Sequence, residues 1–145
     1  MTKYFLLLLT AVVLISCNRK NKDKIAVDHA IQTEQALKAT TTVQIIDSSY
    51  NFGKVSDGEK VEYNYRFKNI GTNPLVIITA DASCGCTLPQ KPEKPIMPGE
   101  MGFIKIVFDS KGRVGNAYKT ITVTSNAKPE FPMLILTGDV MGKEQ

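Results

Sequence analysis

Histidine is almost missing from this sequence, which has one, His29, in 145 residues. A Ser-His-Asp triad or a Cys-His pair needs an imidazole beside its nucleophile as the general base. His29 stands in a polar N-terminal stretch, and no phosphate-binding, dinucleotide-binding or nucleophile-elbow motif occurs. The carboxylates are scattered through turns and polar positions. We therefore expect a protein that is not an enzyme, with no cofactor and no small-molecule substrate.

Long apolar runs and a strong excess of one charge are missing as well. The longest apolar run, residues 4–15, is shorter than the roughly 18 residues that a membrane-spanning helix needs. It follows Lys3 and leads into a small residue, Ser16, which is the order of a secretory signal. The formal net charge of +4 is too small to indicate nucleic-acid binding.

The end of this signal, Leu14-Ile15-Ser16-Cys17, resembles the lipobox of bacterial lipoproteins. The resemblance implies cleavage after residues 1–16, which form the lipoprotein signal peptide, and attachment of acyl chains such as palmitate at Cys17. Two or more acyl chains anchor a protein stably to a membrane. We therefore expect a lipid-anchored protein of the cell envelope, on the outer membrane and facing the periplasm.

Residues 17–41 form the lipidated N-terminus and a polar tether without a steady apolar period. Its basic start, residues 18–24, fits either contact with anionic lipid headgroups or a solvated spacer. As a flexible coil the tether would span about 25–30 Å root-mean-square.

The patterned part of the chain, residues 42–141, is rich in strand signals and leaves residues 142–145 as a tail. Residues 60–68 alternate without a break and place four large apolar or aromatic side chains on one face: Val61, Tyr63, Tyr65 and Phe67. Residues 75–78 are apolar on both faces, which predicts a central or covered strand, and the stretch 103–109 should point Ile104, Ile106 and Phe108 inward. Six or seven short strands between turn signals predict an all-β antiparallel sandwich.

Six short pieces of this region, in this order, resemble the lipoprotein family called domain of unknown function 1573, common in Bacteroidetes-type bacteria. They are residues 52–55, 67–71, 74–75, 83–87, 98–100 and 124–126. The resemblance implies an immunoglobulin-like sandwich akin to the HYDIN/ASH and PapD-type modules. That family carries no agreed activity, so the resemblance bears on fold more than on function.

Besides Cys17, the chain has two cysteines, Cys84 and Cys86, with Gly85 between them. An oxidising compartment favours a local disulfide, and Gly85 relaxes the backbone between them. Two further interpretations stay open: a soft-metal site for Cu(I) with a thioether of Met97 or Met101, and thiols with no further role. A structural zinc site needs four ligands, which these residues do not supply.

These observations give two functional expectations. The first is a non-catalytic envelope module that binds an unidentified protein partner or assists assembly, since immunoglobulin-like sheets have exposed edges for strand addition. The alternative is a thiol-redox or copper-handling envelope protein that uses Cys84 and Cys86.

Overall fold

The computed structural model describes residues 38–142, so the predicted signal peptide, Cys17 and all but the last residues of the tether lie outside the described residues. Eight strands follow in chain order: β1 (Val43–Ile45), β2 (Ser49–Ser56), β3 (Lys60–Asn69), β4 (Ile77–Ala82), β5 (Thr87–Gln90), β6 (Met101–Asp109), β7 (Gly115–Ser125) and β8 (Leu134–Met141). They form two four-stranded sheets, with strand orders β1-β3-β6-β5 and β2-β8-β7-β4. Within the described range, no helix is long and apolar enough to cross a bilayer.

The predicted all-β sandwich is confirmed, but the structure has eight strands where the sequence indicated six or seven. The additional strand, β5, lies at the start of a proline-rich stretch that reads as a loop. Pro89 is tolerated because β5 is an edge strand and a proline there need not donate to a neighbour. Its partner across the ladder is Ile106.

One strand pair departs from the predicted antiparallel arrangement, since β2 and β8 run parallel. Their register shifts between Asn51 and Lys54, where Gly53 has a φ of 73°. Side-chain alternation predicts which face of a strand is buried, but it carries no information on the direction of a partner more than 80 residues away. The direction is decided by the chain's path between the sheets.

The core lies between the two sheets, as the alternation predicts. On β3, Val61, Tyr65 and Phe67 are buried, and on β6 the three predicted inward residues are completely enclosed. Tyr63 is only half-buried and stacks on Tyr50 of the other sheet, with ring centroids 3.8 Å apart. Each fully buried side chain of this size contributes about 1.5–3 kcal/mol through removal from water.

The prediction of a central or covered strand at residues 75–78 is wrong in its position. Leu75 and Val76 are buried, yet they precede β4, which begins at Ile77 and forms the edge of its sheet. Ile78 lies at a register shift and is exposed. Leu75 and Ile96 exchange two backbone hydrogen bonds of 2.9 and 2.8 Å. Apolar residues on both faces therefore do indicate burial here, but the loop that contains Ile96 covers them, and a second strand does not.

Two buried asparagines join the loops at the end of the sandwich where the tether arrives. The Asn69 side-chain amide donates to the carbonyls of Asn73 and Ile96, both at 2.8 Å, and its oxygen accepts from the Thr41 hydroxyl at 2.9 Å. At the facing position, Asn126 donates to the Ala39 carbonyl at 2.8 Å. These bonds fix the chain from Ala39 onward to the sandwich.

Candidate functional site

The chain crosses from one sheet to the other at residues 83–86, between β4 and β5. In this crossover Cys84 and Cys86 are joined by a disulfide, with Cα atoms 5.3 Å apart. Cys84 is half-buried, whereas Cys86 is only 6% exposed. The Asp109 N–H donates to the Cys86 carbonyl at 2.9 Å, which ties the crossover to the end of β6.

The surroundings of the disulfide are structural in character. The buried Thr87 places its hydroxyl 3.8 Å from the Cys84 sulfur and 3.9 Å from the Cys86 sulfur. If an external thiolate attacked the more accessible Cys84 sulfur, the leaving group would be Cys86, whose burial disfavours a thiolate. This geometry suits a brace between the sheets better than a reactive dithiol.

The structure does not bring the two methionines of the copper hypothesis to the cysteines. Met101 begins β6 and Met97 is in the preceding turn, whereas the disulfide lies beside Thr87, the partner of Phe108 near the other end of β6. The seven residue steps from Met101 to Phe108 span about 24 Å at roughly 3.4 Å per residue. In the described part of the chain, no group of three or more His, Cys, Asp and Glu side chains is placed to hold a metal ion.

The titratable groups with shifted pKa values are explained by structural contacts. The Arg66 guanidinium donates to both carboxylate oxygens of Asp47, at 2.7 and 2.9 Å, and holds the pKa of Asp47 below its ordinary value. Burial raises the pKa of the Tyr65 hydroxyl, which donates to the Ile135 carbonyl at 2.7 Å. Burial also raises the pKa of Tyr63. These contacts join β3 to its neighbours and to the facing sheet.

An open groove of about 560 Å³ lies beside the first half of β6, and we call it the β6 groove. Its walls are Gln90 at the end of β5, residues 91–96, and four residues of β6: Met101, Gly102, Phe103 and Lys105. Phe103 is 48% exposed although it is a large aromatic residue. The sequence analysis did not predict this groove. The feature that could have indicated it is the cluster of Pro92, Pro95 and Pro98, because prolines break strand pairing beside an apolar strand.

The comparisons with known proteins bear first on the family. Residues 43–140 match the family model described as "Protein of unknown function (DUF1573)". The chain belongs to the DUF1573 family. The matched range covers β1 through nearly all of β8, and the resemblance noted from the six short pieces is thereby confirmed.

Solved structures that resemble this DUF1573 domain share its fold at low sequence identity. A protein of unknown function from Porphyromonas gingivalis W83 has a TM-score of 0.56 at 16% identity, over 70% of this chain and 47% of that chain. The chain thus spans about half the length of that protein. No curated protein matches.

Two further structures extend the comparison. The ASH/PapD-like domain 7 of human CEP192 has a TM-score of 0.56 at 18% identity, over 72% of this chain and 89% of that domain. The secreted serine protease VesC from Vibrio cholerae has a TM-score of 0.50 at 12% identity, but only 23% of that chain is covered. At these identities the likeness shows the immunoglobulin-like, PapD-type fold and nothing more.

The pieces that match the DUF1573 pattern have structural explanations in this chain. Asn69 and Asn126 hold the loops at the tether end through their side-chain amides. Glu100 accepts from the Met97 N–H at 2.9 Å and closes the turn before β6. The crossover at residues 83–87 contains the disulfide. Most of the pattern therefore encodes how loops are fixed to the sandwich.

Proposed function

We propose that this DUF1573 chain is a non-catalytic protein-interaction or assembly module of the bacterial cell envelope, anchored to a membrane by lipid on Cys17. The observation that carries the interaction function is the outer face of the sheet β1-β3-β6-β5. Three large apolar side chains on that face are exposed: Leu88, Met101 and Phe103. Leu88 lies in the edge strand β5, and Met101 and Phe103 lie in the neighbouring strand β6. Extended partners add as strands at such sheet edges. Exposed apolar groups next to polar ones are typical of protein-binding surfaces.

A non-catalytic role is supported by the use made of buried polar groups. In the described part of the chain every buried side-chain nitrogen and oxygen has a hydrogen-bond partner. Asn69 fixes two loops, and Ser110 donates to the Ser56 carbonyl while accepting from the Gly58 N–H. These groups are engaged in holding turns, which is a structural use of polarity.

The anchor and the location rest on the sequence at Leu14-Ile15-Ser16-Cys17. Lipid on Cys17 would hold the sandwich near the periplasmic face of the outer membrane. Because Ala39 accepts a hydrogen bond from Asn126, the tether joins the domain at the end where β3 finishes and β6 begins.

The test is chemical crosslinking of the tagged full chain in its native envelope, followed by purification and identification of the adducts. We expect a discrete protein adduct that disappears when excess untagged mature protein is added before crosslinking. The matched control is an unrelated tagged lipoprotein at equal abundance. Recovery of the same adducts from both lipoproteins, or of none from this one, would contradict an interaction function.

A further inference from the structure

We infer that the β6 groove binds an extended, acidic peptide segment of a partner protein, which pairs with the free edge of β6 at Met101 and Phe103 as an added strand. This inference rests on the proposed function and deepens it, because it names the surface of contact and the chemistry of the partner.

The direction of the backbone groups on β6 follows from the ladder with β3. At its two ends, the Asn69 N–H donates to the Glu100 carbonyl at 3.0 Å and the Ser110 N–H donates to the Glu59 carbonyl at 3.1 Å. Hydrogen-bonded and non-hydrogen-bonded pairs alternate along an antiparallel ladder. Gly102 therefore bonds β3, whereas Met101 and Phe103 direct their N–H and C=O groups to the opposite side.

On that opposite side β5 covers only the second half of β6. Gln90 is the last residue of β5 and pairs with Lys105. If β5 continued in the same register, Pro92 would lie opposite Phe103, and proline has no N–H to donate. The chain instead leaves the sheet, and Ile96 exchanges backbone hydrogen bonds with Leu75. Among the described strands none pairs with Phe103 on this side.

The side chains around this edge define the ligand. Met101 and Phe103 offer exposed apolar surface on alternate residues of the strand. Lys91 and Lys94 are exposed groove residues, and in the described part of the chain neither takes part in an ion pair. Glu93 is the single acid among the lining residues, and Lys105 pairs with Glu62 at 2.7 Å. The excess of positive charge favours an acidic segment over a basic one.

The edge strands β1, β2 and β4 carry features that discourage strand addition. The edge strand β1 is three residues long. The edge strand β2 has a register shift beside Gly53, and β4 has one beside Ile78. The first half of β6 has no such shift, and its stretch without a β5 partner, Met101–Ile104, spans about 10 Å, enough for roughly three residues of an added strand.

The experiment follows backbone amide exchange by NMR in the mature chain, residues 17–145, carrying Cys17→Ser so that it is not lipidated. The probe is a ten-residue synthetic peptide that alternates valine and glutamate. One comparison peptide has lysine in place of glutamate, and a second is N-methylated on alternate residues so that one edge cannot donate hydrogen bonds. Vesicles of phosphatidylglycerol test whether anionic lipid is the ligand.

In the free protein we expect rapid exchange at Phe103 and slow exchange at Ile104, whose amide bonds β3. Saturating acidic peptide should slow exchange at Phe103 by about tenfold or more, while the lysine and N-methylated peptides should bind about tenfold more weakly. Lys91→Glu with Lys94→Glu should weaken binding of the acidic peptide by a similar factor. The control pair Lys54→Glu with Lys111→Glu changes the net charge equally at exposed sites, one in β2 of the other sheet and one beyond the far end of β6, and should leave binding within about twofold.

Several outcomes would overturn the inference. Equal weakening by the two charge-reversal pairs, or equal binding of the N-methylated peptide, would exclude strand addition in this groove. Slow exchange at Phe103 without peptide would mean that the tether or a second copy occupies it. Protection by vesicles and not by peptide would identify a lipid site. If the tagged Lys91→Glu/Lys94→Glu variant forms the same crosslinked protein adduct in its native envelope, the interaction function stands and this groove is not its site.

Discussion

Asn69 continues the inward alternation of β3 at its last position and is completely enclosed, although its side chain is polar. Its amide and oxygen join three segments of chain that lie far apart in sequence: Thr41, Asn73 and Ile96. A buried polar group costs free energy unless it is hydrogen-bonded. Asn69 therefore stabilises this end of the sandwich only as long as all its partners stay in place.

Replacing Asn69 with alanine should lower the free energy of unfolding by about 2–4 kcal/mol, because the Asn73 carbonyl and the Thr41 hydroxyl lose a partner inside the protein and the Ile96 carbonyl loses one of two. Urea denaturation of purified protein measures this change. The control is Asn116→Ala, which removes an exposed bond of 3.3 Å to Asp139 and should be nearly neutral. Equal losses for the two variants would contradict a buried anchoring role for Asn69.

Phe67 and its neighbour Arg66 test the register of β3. Phe67 is 1% exposed and packs edge-on against Phe131, with ring centroids 5.1 Å apart. Phe67→Ala should cost about 3–5 kcal/mol of unfolding free energy. Arg66→Ala removes only an exposed ion pair with Asp47 and should cost much less. Comparable urea midpoints for the two variants would show that the register is wrong.

The Asp47 carboxylate gives a pH dependence of defined sign. Its pKa is lowered in the folded protein from an ordinary value of 3.8, chiefly by hydrogen bonds from Arg66. A lowered folded pKa stabilises the fold above the unfolded value, and that contribution is lost as pH falls through the folded pKa. The stability difference between wild type and Asp47→Asn should thus be constant near neutrality and shrink below about pH 4. A difference that grows on acidification would contradict this assignment.

At the scale of elements, the crossover between β4 and β5 shows how a short sequence can brace two sheets. Ser83 accepts the Thr120 N–H through its hydroxyl at 3.1 Å and donates its own N–H to the Thr120 carbonyl at 2.9 Å. Cys86 is bonded through its carbonyl to Asp109 of the facing sheet. The disulfide closes a very small loop between these two attachment points.

Replacing both Cys84 and Cys86 with serine should leave a folded protein with a modest loss of stability. Chain-entropy arguments give about 1–2 kcal/mol for so small a loop, and thermal unfolding measures it. Removing both residues avoids the free thiol that a single substitution would leave. Peptide and partner binding should be unchanged. Loss of thiol-exchange activity or copper binding at an unchanged melting temperature would favour the redox alternative instead.

At the scale of the whole molecule, the proposed attachment to a membrane is the feature with the widest consequence. Cys17→Ser should release the protein from the membrane fraction or leave it as uncleaved precursor, because the acyl acceptor is gone. Fractionation and gel mobility in the native host measure both effects. The matched control is Ser49→Ala, an exposed site in β2. If Cys17→Ser fractionates and migrates like the wild type, the lipoprotein interpretation is wrong.

The sequence by itself determined the class of fold and the inward faces of the strands. Unbroken alternation at Val61, Tyr65 and Phe67 leaves one register in which large side chains avoid water, so local pattern and tertiary burial agree. The ordered short pieces also identified the family, because the sandwich needs these residues to fix its loops. These are properties that neighbouring residues decide.

The tertiary structure alone decided which strands are neighbours and where an edge stays open. The parallel pairing of β2 with β8 depends on how the chain passes between the sheets. The open edge at Phe103 exists because β5 ends at Gln90 and Pro92 cannot continue it, while Ile96 is held by Leu75, which precedes β4. Each of these features depends on contacts between segments far apart in sequence. A local sequence pattern contains no information on which distant segments come into contact.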